Sequence, residues 1–514
     1  MKRAIIIGMW VFVVVSIGAR AGEPIDLPVI TRIKAEGIGN SQVMQTLSDI
    51  TDRHGPRLSG SPQMKAAAEW CRDQLDEWGM ANARLESWGK FGRGWVLDRF
   101  SLEMNEPYYL HLIAHPRAWT PATDGVISGE PVVVEADSLE QLEEKYKDKL
   151  KGAIVMTPLT RQAETGFEPD AKRYTESELE DLFKTRLPGQ AGGRGRYRGR
   201  RSGRLGRGEM NKFLREQGVA AVLEASRGEH GTLFVTGTRA WRPDAEPELP
   251  TLVTAVEHYG QILRLLQKEV PVKLRLNVKA RFIDDVDEYN VIAEIPGTDP
   301  ELRDEVVMLG GHLDAWHAAT GATDNAAGCG VAMEVMRILK AIGIKPRRTI
   351  RIALWTGEEQ GLRGSRAYVK KHFADRETME LTDEHARFAG YFNLDNGTGR
   401  IRGIYTQGNE AVRPIFEAYL EPFHDLNATT VTSRNTGGTD HLSFNAVGLP
   451  GFQFIQDPVD YSSRTHHTNM DTYERLQRAD MIQASVIMAS FVYHTAMRDE
   501  KLPRKPLPEP RESR

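Results

Sequence analysis

In the second half of the chain, four apolar runs each end abruptly in polar, chemistry-bearing residues, and each reads as a buried strand. Val306, Val307, Met308 and Leu309 lead into Gly311, His312 and Asp314. Residues 349–355 (TIRIALW) deliver Thr356, Gly357, Glu358 and Glu359. Residues 388–394 deliver Asp395 and the turn signal Asn396-Gly397, and residues 451–455 (GFQFI) precede a loop holding His466, His467 and Asp471. After the first run comes a Gly-rich loop with Asp324, then Val331, Val335, Ile338 and Ile342 at helical spacing, the stripe of an amphipathic helix. Strand, loop and helix in that order predict an α/β fold with a mixed, largely parallel central sheet flanked by helices. Sites in such sheets form outside the carboxyl ends of the strands.

Upstream, residues 22–60 predict a short helix and a turn-rich loop. Ser61-Pro62 then starts a helix that runs to Trp78, with Pro in the first turn and Gly79 at the stop. From about residue 121 the texture changes. Residues 127–135 and 153–156 are β-like around a charged helix at 139–150, and further helices are predicted near 210–217 and 256–268. Val272, Leu274, Leu276 and Val278 alternate with polar residues, which gives a half-buried strand. We therefore expect a β-rich domain at 121–285 inserted into a first domain made of 22–120 and 286–497. Within the insert, residues 192–208 are Gly and Arg with almost nothing apolar, and such a segment cannot bury enough surface to order itself. Residues 498–514, rich in Pro and charge, read as a disordered tail.

Composition narrows the class. With 514 residues, 40% hydrophobic content and a formal charge of −4, the chain has room for two cores and shows no overall affinity for nucleic acid. Arg-Gly runs with an aromatic can bind RNA, but in an exported chain the stretch reads as a solvated loop. Export is indicated by Lys2 and Arg3, an apolar run at 4–17 and Ala19-Arg20-Ala21 before Gly22, the parts of a signal peptide at 1–21. The run is short for a spanning helix, so an uncleaved anchor is the alternative. Cys71 and Cys329 are the two cysteines, too few for a disulfide framework, and both read as small buried hydrophobes.

The residues collected at the strand ends suit metal chemistry. Zinc takes imidazole nitrogen and carboxylate oxygen, and two zincs roughly 3.5–4 Å apart need a carboxylate between them. His312, His467, Asp324, Asp395 and the adjacent Glu358-Glu359 supply these parts. Adjacent acids at a strand end point differently, so one can bind metal while the other stays free as a general base. No Gly-x-Ser-x-Gly elbow and no His-Glu-x-x-His helix occurs, which disfavours a serine hydrolase and a thermolysin-like protease.

With those residues in view, the chain resembles the co-catalytic di-zinc aminopeptidases, a family that includes secreted bacterial aminopeptidases and plasma glutamate carboxypeptidase. The resemblance rests on His312-x-Asp314, Gly-x-x-Asp324-Asn, Glu358-Glu359-x-Gly361, Asn393-x-Asp395 and His467-Thr-x-x-Asp471, in the family's order over residues 306–472. The stretch from Gly55 to Ser61 is similar to the signature of the plasma carboxypeptidase branch, and the insert resembles a protease-associated domain. The resemblance implies that His312 and Asp395 bind one zinc, Glu359 and His467 the other, and that Asp324 bridges them. It implies Glu358 as the base and Asp314 as the group that orients His312. His466 stands where several members have a Tyr that stabilises the oxyanion, a role in which a His can also donate. The His-Thr-x-x-Asp spacing selects His467 as the ligand, and His317 and His441 read as polar neighbours.

The implied protein is an exported zinc exopeptidase, periplasmic or secreted, that cleaves peptides as an aminopeptidase or dipeptidase. A glutamate-type carboxypeptidase and a silent binding relative are the alternatives. Other divalent metals, cobalt or manganese, suit the same ligands. Peptides are the implied partners, a homodimer is compatible, and neither nucleic acid nor, after leader removal, a membrane is expected.

Overall fold

The computed structural model describes residues 22–159, 161, 163–184 and 205–511. The expected leader at 1–21 and residues 192–204 of the Arg/Gly stretch lie outside the described residues, and that stretch ends in a helix, Arg207–Glu216. Among the described residues no helix is long and apolar enough to cross a membrane.

A mixed sheet of ten strands organises the peptide chain. Its centre is four parallel strands in the order Gly451–Gln456, Phe388–Asn393, Val306–His312 and Thr349–Trp355. All four are buried along their length apart from two residues at the start of Thr349–Trp355, as expected for a sheet covered on both faces. The register sets His312 opposite Trp355 and Gly310 opposite Asn393, so these strands end level and their loops leave from one edge. On one face pack Pro62–Glu77, Ala327–Ala341 and Arg478–Met497. On the other face Tyr368, Phe373 and Phe444 close over Trp355 and Tyr391.

Local signals explain several of these elements. Ser61 caps Pro62–Glu77 by accepting from the Met64 amide at 3.1 Å, and Gly79 takes the left-handed conformation (φ 79°) that ends the turn. Gly328, at the start of Ala327–Ala341, is needed for close approach, because a Cβ there would meet the Leu394 carbonyl at 2.0 Å.

A second sheet of five strands runs in the order Ala114–Pro116, Thr251–Thr254, Ala221–Ala225, Ile154–Met156 and Pro131–Val133, all but the first within the expected insert at 121–285. Helices cover both of its faces: Val256–Gln267 on one, Leu139–Tyr146 and Arg207–Glu216 on the other. The alternating stretch 272–278 is the half-buried strand expected, but it is not part of this sheet. It opens the long strand Lys273–Ile295, which pairs antiparallel with Ala81–Glu106 in the larger sheet. Periodicity predicts a strand and is silent about a partner as far away in the chain as Phe100 is from Val278. Arg173 bridges buried Asp457 and Asp480 at 2.9 and 2.7 Å and so ties its segment to the stretch that follows the Gly451–Gln456 strand.

The disordered tail expected from Arg498 is corrected by the structure over its described part. Leu502 is buried against Gly390, Arg504 donates to the carbonyls of His385 (2.8 Å) and Phe388 (2.6 Å), and Asn409 donates to the Pro503 carbonyl. Composition suggested disorder because the segment has few apolar residues, but here one leucine in a preformed slot and the backbone hydrogen bonds suffice. Leu502→Ala is expected to cost about 2–5 kcal/mol, the usual range for emptying a buried leucine site. Urea denaturation of the two proteins measures this, and equal midpoints would show that the tail does not pack.

Candidate metal centre

The level strand ends bring the predicted residues together. His312 is the last residue of its strand and is buried, with Nδ1 2.9 Å from the Asp314 main-chain carbonyl. A carbonyl only accepts, so Nδ1 carries a hydrogen and Nε2 is the nitrogen that faces the site. That Nε2 lies 3.2 Å from Asp324 Oδ1 and 3.3 Å from Asp395 Oδ1. Across the site, His467 Nε2 lies 3.2 Å from the other oxygen of Asp324 and 3.0 Å from Glu359 Oε2. Asp324 thus stands between two imidazoles that arrive from different strand ends.

Asp314 orients His312 through its carbonyl, while its carboxylate does something else. Oδ1 accepts from the Glu358 amide and Oδ2 from the Glu359 amide, both at 3.2 Å, and Ser59 Oγ donates to Oδ2 at 2.8 Å. One residue therefore holds both the imidazole, through its main-chain carbonyl, and the backbone of the glutamate pair, through its carboxylate. The glutamates then diverge: Glu359 meets His467, while Glu358 is buried toward His312 and Asp440.

Loop 313–324 is held from beneath. Arg57, fully buried, donates to the carbonyls of Leu313 (2.6 Å), Thr320 (2.6 Å) and Gly321 (2.8 Å). Asp471 accepts from the amides of Thr323 (2.7 Å) and Asp324 (3.1 Å). Sequence reading singled out the stretch from Gly55 to Ser61 by resemblance but assigned no role to Arg57 or Ser59. It passed over buried Asp440 and half-buried Tyr461, both beside the acids; the Gly437-Gly438 turn before Asp440 was the available signal.

The remaining predicted histidines separate. His466 sits at the rim, its ring centroid 3.8 Å from that of His467 and its Nε2 3.8 Å from Asp324 Oδ2, a looser contact than His467 makes. His317 turns away, Nε2 bonding the Pro116 carbonyl at 2.8 Å against His115 and Trp95. His441 is 2.9 Å from Gln407 Nε2 and bonds no carboxylate.

Electrostatics show what the site lacks. Burial pushes Glu359 up to about 7, with Asp324 adding to the rise and His467 opposing it. Burial likewise raises Glu358 well above the carboxylate range, His312 opposing and Asp440 reinforcing the rise. Burial disfavours protonation of His467, yet Glu359 and Asp324 outweigh it and raise its imidazole to about 11. Asp324 is pushed up by burial and held well below its usual value by the two imidazoles. Among the described residues, Asp324 Oδ2, Glu359 Oε1 and Asp395 Oδ1 are buried without a hydrogen-bond donor. Donor atoms of His312, Asp324 and Glu359, and those of Asp324, His466 and His467, gather within 4.8 Å of one another. Orphaned carboxylate oxygens and imidazole nitrogens converging in a buried anionic cluster fit divalent cations.

Comparison with known proteins agrees. The family model "Peptidase family M28" matches residues 290–492. Human Carboxypeptidase Q is 31% identical over 479 residues, covering 92% of this chain and 89% of that protein. The chain belongs to peptidase family M28. It is therefore a metallopeptidase, and mouse Carboxypeptidase Q is similar over the same share of the chain at 27% identity. Among solved structures, a peptidase M28 precursor from Shewanella amazonensis has the same fold, with TM-score 0.68 and 23% identity over 94% of this chain and 98% of that one. The zinc aminopeptidase BSAP from Bacillus subtilis shares the fold at TM-score 0.54 and 17% identity, covering 89% and 95%.

The charge pattern of this M28 site yields a test. With no metal bound, Glu359 and Asp324 raise His467 to about 11 against the effect of burial, so it carries a proton at neutral pH; the acids around His312 raise that imidazole as well, and an imidazole must lose a proton at Nε2 before that nitrogen can bind metal. Zinc added to stripped protein at pH 7.5 is thus expected to release protons, and affinity falls as pH falls. Calorimetry in buffers of differing ionisation heat measures the release, and identical heats in all buffers would contradict the assignment.

Proposed function

We propose that this M28 protein is an exported zinc-dependent exopeptidase that hydrolyses peptide bonds near a chain terminus, as an aminopeptidase or dipeptidase. The observation that carries this reading is the position of Asp324, one oxygen 3.2 Å from His312 Nε2 and the other 3.2 Å from His467 Nε2. That placement supports two metal positions sharing one bridging carboxylate, with His312 and Asp395 completing the first and Glu359 and His467 the second. Two zinc ions bound there would polarise the peptide carbonyl and make water more acidic.

The chain's own residues have distinct tasks in this reading. Glu358, buried and outside the ligand set, accepts the proton from water and returns it to the leaving nitrogen. His466 at the rim donates to the oxygen on which charge develops. Asp314 positions both His312 and the glutamate pair. The inserted unit is read as a protease-associated-like domain. Curated relatives named Carboxypeptidase Q favour a second reading, a glutamate-type carboxypeptidase. A panel of aminoacyl anilides, dipeptides and C-terminal glutamyl peptides separates the two, and failure on all of them would mark a silent relative.

Glu358→Gln keeps size and removes basicity, so kcat is expected to fall about 10³–10⁴-fold with metal content and KM nearly unchanged. Glu359→Gln instead releases metal, and the reverse pattern would mean the two glutamates are exchanged. Metal analysis of protein purified without chelator is expected to find two divalent ions per chain, and Asp324→Ala loses more metal than Glu358→Ala. Full metal in Asp324→Ala would contradict the bridge. Exported protein is expected to begin at Gly22 on N-terminal sequencing, whereas an intact Met1 in a membrane fraction would favour an anchor.

A further inference from the structure

A short segment from far upstream is laid along the loop that leads to His466. That loop begins at Asp457, directly after the Gly451–Gln456 strand, and residues 170–174 run antiparallel to it. Lys172 bridges Val459, its amide donating to the Val459 carbonyl at 3.0 Å. To one side of this bridge, Asp170 pairs with Arg464, and its main-chain carbonyl accepts from Ser463 Oγ at 3.1 Å. To the other side, the Tyr174 amide donates to Asp457 Oδ1 at 3.0 Å, and Arg173 pairs with Asp457 and Asp480. Asp457, Val459, Ser463 and Arg464 are thus all held from outside their own loop.

The strap depends on Arg173. Asp457 and Asp480 are buried, and a buried carboxylate is costly unless it is paired. Arg402 reaches Asp457 at 3.0 Å, whereas Arg400 stands 3.5 Å from Asp480 with its Nε making no hydrogen bond among the described residues. Among those residues only Arg173 meets both carboxylates at hydrogen-bonding distance, 2.9 and 2.7 Å, so it joins the strap to the strand end and to the helix Arg478–Met497 at once. The two histidines at the end of the loop are held differently. The His467 carbonyl accepts from Val235 N at 2.9 Å, Phe234 bridges Thr468, and Asn469 N donates to the Leu233 carbonyl at 3.1 Å, all independent of the strap. His466 leans on the strapped loop: its amide donates to the Tyr461 carbonyl at 2.8 Å, and its ring centroid lies 4.8 Å from that of Tyr461. A slack loop would therefore move His466 and leave His467 in place.

We propose that Arg173 is a positioning residue for catalysis: by clamping residues 170–174 onto the loop from Asp457 to His466, it sets the His466 imidazole where it can donate to the developing oxyanion. This rests on the reading of His466 as that donor, given above. A donor stabilises transition-state charge only when it is already aimed at the oxygen on which the charge appears. Release of the strap therefore lowers turnover, while ground-state peptide binding and the metal ligands, which do not use His466, are spared.

The test is a double-mutant cycle on zinc-loaded protein with Arg173→Gln, His466→Ala and the pair, using an aminoacyl anilide or dipeptide that wild type cleaves. His466→Ala is expected to lower kcat about 10²–10³-fold, the usual cost of losing one oxyanion donor. Arg173→Gln is expected to lower kcat about 10–100-fold, a part of that same contribution, with KM and zinc content nearly unchanged. Arg173→Lys recovers some of the loss. In the His466→Ala background Arg173→Gln is expected to cost less than about twofold, because both changes remove one interaction. Asp170→Asn loosens the other end of the strap without leaving a buried charge, and the same cycle run with it decides the matter if Arg173→Gln does not fold. An unchanged kcat in the folded strap variant, or losses that multiply with that of His466→Ala, would overturn the positioning role and leave the exopeptidase reading intact. An unchanged kcat in His466→Ala, or a wild type that cleaves no peptide, would overturn the reading and this proposal together.

Discussion

Asp314, Asp324, Glu358, Glu359, Asp395, Asp440 and Asp471 gather with buried side chains at the carboxyl edge of the parallel strands, faced by His312, His467 and Arg57. Each uncompensated charge in such surroundings costs several kcal/mol, so the cluster is a standing demand for positive charge. The rest of the domain is arranged around meeting it. Arg57 is spent on three carbonyls of the loop that carries Asp324, and Asp471 fixes the same loop through two amides. What remains unmet lies between the two imidazoles, where bare carboxylate oxygens converge. Metal affinity, local stability and proton balance at this edge are therefore one linked quantity.

Asp314 shows how economically the site is held. Its carbonyl fixes the tautomer of His312, and its two carboxylate oxygens fix the amides of Glu358 and Glu359. Ser59, far upstream, steadies the carboxylate in turn. A change at Ser59 or Arg57 would be felt at the proposed metal ligands without either residue touching one. The loop at 226–235 adds a second layer, since Val235 hydrogen-bonds the backbone of His467 and so shares in placing that imidazole.

The sequence by itself determined the parts that depend on short-range regularity. Strand ends at His312, Thr356, Asp395 and the loop after residue 456 followed from apolar runs, because a strand buried on both faces must be continuously apolar. The cap at Ser61 and the stop at Gly79 followed from local backbone chemistry. The family motifs marked the acids and histidines that the structure brings together.

Only the tertiary structure decided what those residues do to one another. Both His466 and His467 follow the same strand, and their distances to Asp324, 3.8 and 3.2 Å, depend on how the loop is pinned. Asp440 and Tyr461 carry no periodic signal and join the site only through folding. The strand at 272–278 was legible as a strand, but its place in the larger sheet came from Ala81–Glu106, a partner that period cannot name. The tail from Arg498 looked disordered by composition and packs through Leu502 and Arg504. In each case pattern reports a residue's propensity and burial, whereas distance, pairing and charge balance arise between segments far apart in the chain and exist only once the chain is folded.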